Sequence, residues 1–171
     1  MNRPDVNNVP KFYQGYVENV KHLDLIDALQ QSSKSAIEII RSIPESKGTF
    51  RYAEGKWSIK ELINHMIDVE RIMAYRALRF SRNDKTDLPG FEENNYAPKA
   101  NAHGRSIQHL ADEAERVRLT TIDLYKSFTT DMLAREGTAN KNKLSVFNLG
   151  YIIPGHETHH RKILVERYLK S

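Results

Sequence analysis

The chain contains no cysteine. That removes a disulfide framework, a thiolate nucleophile and thiolate metal ligands together, so any transition-metal site must be built from His, Asp or Glu. There is no run of about 18 apolar residues, which excludes a membrane-spanning helix and leaves no membrane partner to expect. Residues Met1 to Pro10 are polar and lack the basic-then-apolar layout of an export signal, so a cytoplasmic location is expected. Charge of one sign is scarce too. The net charge is +4, and Lys plus Arg exceed Asp plus Glu by three in residues 1–85 and by one in residues 86–171. A nucleic-acid footprint concentrates basic residues on one face, so no nucleic acid is expected as a partner. No repeat, low-complexity tract or linker divides the chain, and 171 residues fit one domain spanning 1–171. There is no Asn-Gly or Asp-Gly turn and no strand-period alternation, so no sheet is expected.

What is present is helical periodicity in four places. The first stripe, Leu25, Ile26, Leu29, Ala36, Ile37, Ile40 and Ile43, predicts a helix from about Leu23 to Ile43, ended by Pro44. A shorter piece, Phe12 to Val20, precedes it. The second starts at Ser58, where Ser58-Ile59-Lys60-Glu61 has capping-box spacing, and ends near Phe80 or Ser81. The third runs from about Ile107 to Phe128 with Ser106 as N-cap, and the fourth from about Ser145 to Leu169. A long connection, Arg82 to Arg105, joins the second and third. Loops of that length in compact proteins are usually functional or cover something. The expected fold is all-α, a four-helix bundle with one long crossover. Pro154 removes the main-chain hydrogen bond to Gly150 and predicts a kink or wide turn there, while Gly155 permits close backbone approach.

Three of the seven histidines crowd into Gly155-His156-Glu157-Thr158-His159-His160-Arg161. With His156 at 0° on its helix, His160 lies at roughly 40° and the apolar stripe centres near 20°, between them. His159 lies at roughly −60°, on the stripe's edge. Two core-facing imidazoles one turn apart need partners for their nitrogens. Either other polar groups supply them, or the pair grips one ion, as i, i+4 histidines do on zinc-protease helices. His65, roughly 60° from the centre of its own stripe, is the best third candidate. His22, His103 and His109 read as solvated surface.

Trp57-Ser58-Ile59-Lys60-Glu61-Leu62-Ile63-Asn64-His65, followed about ninety residues later by Gly155-His156-Glu157-Thr158-His159-His160, resembles the DinB-like superfamily, which includes bacillithiol transferases and is related to mycothiol-dependent maleylpyruvate isomerases. The resemblance spans residues 12–169. It implies a DinB-like four-helix bundle with a three-histidine metal site at one end. His65 matches the first ligand and His156 and His160 the last two. His159 fits an additional histidine found in one branch. The resemblance also implies a homodimer and a small-molecule substrate, in some members a low-molecular-weight thiol.

Three neutral imidazoles leave a coordination position open, as in catalytic zinc sites. A divalent ion there would activate a thiol or a water, and any thiol must come from a cosubstrate because the chain has none. Zinc or nickel is expected first; iron and manganese also accept imidazole. The expected function is a metal-dependent transferase of a low-molecular-weight thiol, or a hydrolase; the alternative is a protein that binds a metal or small ligand without turnover. Other catalytic candidates are weak. Glu157 could orient an imidazole or act as a base, but a solvated carboxylate or a partner of Arg161 explains it more simply. Tyr96, with Asn95 and Phe91, could cover the pocket from the long loop. Glu61 is explained by its capping box, Glu70 and Asp68 by solvent, and Trp57 by a hydrophobic staple, with direct ligand contact as its alternative. Arg76 lies within roughly 20° of His65 around the helix but about 16 Å further along. Pairing with an acid is its expected role, contact with an anionic substrate the alternative.

Overall fold

Serine hydroxyls start three of the long helices. Ser58 Oγ accepts from the Glu61 amide while Glu61 Oε2 accepts from the Ser58 amide at 2.7 Å, which completes the expected capping box. Ser106 Oγ accepts from the His109 amide and Ser145 Oγ from the Asn148 amide. The computed structural model describes residues 3–170. Its helices are α1 (Lys11–Glu18), α2 (Leu25–Ser42), α3 (Ile59–Ser81), α4 (Glu93–Tyr96), α5 (Ile107–Lys126), α6 (Thr130–Ala134) and α7 (Val146–Ile163).

The long helices α2, α3, α5 and α7 form the bundle. In it α3 packs on α7, α7 on α2, α2 on α5 and α5 on α3. Helices α2 and α3 therefore lie across a diagonal although they follow one another in sequence. The short helix α1 packs outside this ring, against α7. The long connection after α3 is not bare coil. It holds α4 and two 3-10 turns, Ala97–Lys99 and Ala102–Gly104.

A small sheet forms where none was expected. Strands β1 (Glu136–Ala139) and β2 (Asn142–Ser145) pair antiparallel across a two-residue turn. The turn residues Asn140 and Lys141 both have positive φ, 49° and 60°. That is the backbone of a primed hairpin turn, here made by Asn-Lys instead of Asn-Gly. Leu88 in the long connection bonds to Thr138 and Asn140 and so ties the connection to β1.

Pro154 is accommodated within a continuous helix. No wide turn forms, because α7 remains α-helical from Val146 to Ile163 with Pro154 inside it. The geometry changes only later, to π-helix over Leu164–Leu169. A helix held on both sides by packing can lose the single hydrogen bond at Pro154 without unwinding.

The core falls into two apolar clusters, one containing Val69, Met73, Leu149 and Ile152, the other Met66, Ile67, Leu110 and Leu164. A charged network accompanies them, centred on Arg118 of α5, whose side chain is 2% exposed. Its Nε and Nη2 donate to Glu70 of α3 at 2.7 and 2.9 Å, and Nη2 donates also to Glu157 of α7. Its Nη1 donates to the Leu29 carbonyl and Ser32 Oγ of α2, at 2.7 and 2.8 Å. All five guanidinium N–H groups are thus used, and one side chain touches all four bundle helices. Glu70 is therefore not at the surface, and Glu157 is neither solvated nor paired with Arg161. One cation facing two carboxylates leaves one negative charge in excess. Burial pushes the Glu157 carboxyl up to about 7, and its Oε1 is buried without a partner.

Replacing Arg118 by Met would strand two buried carboxylates. The expected cost is about 3–5 kcal/mol of folding stability, read as a lower urea midpoint. An unchanged midpoint would contradict the role given to Arg118.

Candidate metal centre

The ring order of the helices makes α3 and α7 neighbours. His65 lies near the second turn of α3, and His156 and His160 lie one turn apart on the facing side of α7. Each of the three offers a ring nitrogen within 4.8 Å of the other two. His65 Nε2 and His156 Nε2 approach to 3.1 Å. Tetrahedral ligation with legs of about 2.05 Å would set ligand nitrogens roughly 3.3 Å apart, so the spacing suits one zinc-like ion. Nδ1 of His160 is buried and has no hydrogen-bond partner. No fourth His or acidic side chain completes the set among the described residues.

The surroundings keep these rings neutral. Burial alone pulls the His65 imidazole down to about 4. Burial, with His65 and His159 nearby, pulls His160 down to about 3. His156 falls well below its ordinary value, first through burial and then through the three other imidazoles. Neutral imidazole is the form that binds metal.

Two aromatic residues wall the site. The Trp57 ring lies 4.6 Å from that of His65, centroid to centroid. The Tyr16 ring, from α1, sits edge-on 5.3 Å from both His156 and His159. Tyr16 is that close because residue 155 is glycine. A Cβ there would come within 2.1 Å of the Tyr16 carbonyl oxygen, so α1 could not seat against α7.

The three histidines open onto a cavity of about 150 Å³. It follows one face of α3, from His65 past Val69 and Met73 to Arg76. Phe12 and Tyr13 of α1 and Phe91 and Glu93 of the long connection complete its walls.

The other candidates fall out unevenly. His159 keeps to the edge, against Tyr16. Glu157 lies outside the cavity lining and points to Arg118. Tyr96 is 48% exposed and does not line the cavity, and neither does Asn95; from that loop Phe91 and Glu93 do. Trp57 packs on the cluster that contains Leu62 and also lines the cavity. His103 reaches Ser58 Oγ at 3.1 Å. Among the described residues no acid pairs with Arg76: the guanidinium donates to the Pro89 carbonyl at 2.9 Å and touches Met73 Sδ. Sequence reasoning missed Arg118 and the contribution of α1. The aromatic spacing of Phe12, Tyr13 and Tyr16 was the available signal for α1.

A family model described as the DinB superfamily matches residues 28–164. Among solved structures, one similar fold is YfiT from Bacillus subtilis, described as a probable metal-dependent hydrolase with an unusual four-helix bundle topology. The TM-score is 0.74 at 13% identity, over 85% of each chain. Another is a mycothiol-dependent maleylpyruvate isomerase, with TM-score 0.67 and 12% identity, over 92% of this chain and 62% of that one. A search of curated proteins returned no match.

The depressed imidazoles set a pH dependence for the metal-free protein. Below the ordinary value of 6.5 the unfolded chain takes up protons while the folded rings stay neutral to about 4. Stability therefore falls as pH drops through that window, by up to ~1.4 kcal/mol per pH unit for each ring held neutral, while the Glu157 carboxyl, raised to about 7, takes up its proton in the folded state and offsets one ring. Urea midpoints at about pH 7, 6 and 5 measure it. Midpoints that do not change across this range would contradict the assignment of neutral, desolvated rings.

Proposed function

We propose a function from one premise: the chain belongs to the DinB superfamily. The protein is a metal-dependent enzyme in which His65, His156 and His160 hold a divalent ion, zinc or nickel first. The single observation that carries this reading is three buried, neutral imidazoles converging at the wall of a cavity with no fourth protein ligand among the described residues. A divalent ion held there would lower the pKa of a thiol or a water and make it a nucleophile near neutral pH.

The chain's own residues do the rest. The imidazoles fix the ligand geometry from two helices that pack directly on each other. Trp57 and Tyr16 cover the rings and limit water. Glu157 is engaged by Arg118, so it fixes the setting of α7 and takes no proton from the substrate. Without cysteine, a thiol used in the reaction is a cosubstrate. That supports transfer of a low-molecular-weight thiol to an electrophile, with hydrolysis as the other outcome of the same site. The family resemblance also supports a homodimer acting on a small molecule.

Element analysis tests the site. Purified wild type should carry about one divalent ion per chain. His65→Ala and His156→Ala should lose it, and His159→Ala should keep it. Equal metal content in all four proteins would overturn the assignment. A screen of thiols against electrophiles, and of hydrolysable esters and amides, with and without chelator, then separates transferase from hydrolase. Turnover that is absent throughout, with the metal in place, would leave a binding protein.

A further inference from the structure

The cavity ends in a buried cation that has no anion. Arg76 is 3% exposed and lines the same cavity as the three histidines. It donates to a carbonyl and a thioether, and among the described residues no carboxylate pairs with it. Elsewhere in this protein the buried guanidinium, Arg118, is met by two carboxylates. A desolvated charge without a counter-ion is costly. The Pro89 carbonyl and Met73 sulfur do not offset it, because neither carries charge. A second cation at the histidine end would make the cavity more positive still. Glu93 is the one acidic side chain in the wall, and no ion pair joins it to Arg76.

We propose that the substrate carries a carboxylate that Arg76 receives, at the end of the cavity away from the histidines. The inference rests on the metal-site reading for the position of the reacting end only. A planar guanidinium with free N–H groups takes a carboxylate through paired charge-assisted hydrogen bonds. A doubly charged phosphate fits less well, since Glu93 shares the wall and one arginine supplies the only positive charge there. Residues 65 and 76 are separated by eleven residues of helix, about 16 Å of rise. Contact with Met73 shows the guanidinium leaning back one turn toward His65. The span from reacting atom to carboxylate is then on the order of 10 Å. The preferred substrate, or the conjugate formed from it, is an elongated molecule with its carboxylate remote from the reacting group.

The test uses ω-mercaptooctanoate and its neutral primary amide, titrated by calorimetry into the metal-loaded protein and into chelator-treated protein. Wild type should bind the carboxylate about 10- to 100-fold more tightly than the amide, the range for a hydrogen-bonded charge. The preference should persist after chelation, because Arg76 is not a ligand. Arg76→Met should bring the two affinities within about threefold of each other while metal content stays at the wild-type level, and Arg76→Lys should retain part of the difference. Equal affinities in wild type would overturn the inference whatever the variants do. So would a preference that survives in Arg76→Met, since the metal would then be its source. Wild type without metal overturns the metal-site reading instead, and the chelated arm still decides the role of Arg76.

Discussion

A single desolvated guanidinium determines how the helices meet. Arg118 spends every N–H it has, on a carboxylate from α3, a carboxylate from α7, and a carbonyl and a hydroxyl from α2. Apolar packing would tolerate some rotation of a helix about its axis, since one branched side chain replaces another at modest cost. A buried ion pair does not, because a small misplacement leaves charge without a partner. Glu157 follows His156 directly, so it points about 100° away around α7. Fixing Glu157 on Arg118 therefore aims His156, and one turn later His160, at His65. The polar network in the core and the histidine cluster at its edge are set by the same rotation.

The two groups divide the ionisable side chains by environment. Carboxylates are gathered around Arg118 and at the helix caps, where Glu61 serves the start of α3. The imidazoles sit among aromatic rings and one another, and burial keeps them unprotonated. A carboxylate beside them would have raised their proton affinity and set a proton in competition with a metal. Drawing Glu157 away from the rings is as much a part of this site as bringing the histidines together.

Much of this was legible from the sequence because it is local. Helical period, the Ser58 capping box and the four-residue step from His156 to His160 each depend on residues within one or two turns. The fold class and the three histidines followed from such patterns and from the resemblance they carry. What stayed hidden depends on distant partners. Glu70 looked like ordinary surface charge and nothing in the sequence singled out Arg118, since the residues that bond to Arg118 lie from 39 to 89 positions away. Arg76 looked like half of an ion pair, and only the folded chain shows that its other half is missing. The hairpin escaped because Asn140 and Lys141 form the turn without glycine. At Pro154 the local rule left two outcomes open, and packing on both sides of α7 excludes the wide turn.

The seat of α1 on Gly155 divides the protein into a frame and an insert. The four bundle helices supply every proposed ligand and the network that aims them. Phe12, Tyr13 and Tyr16 come from a helix outside that ring and form a large part of the cavity wall. That helix supplies wall without supplying a proposed ligand, whereas α3 supplies both, His65 at one end of the cavity and Arg76 at the other. The side chains of α1, Lys11–Glu18, can change in shape and polarity without touching the histidine geometry, provided residue 155 remains without a side chain. Such an arrangement lets the outer wall of the cavity change by rewriting one short helix, with the bundle beneath it left alone.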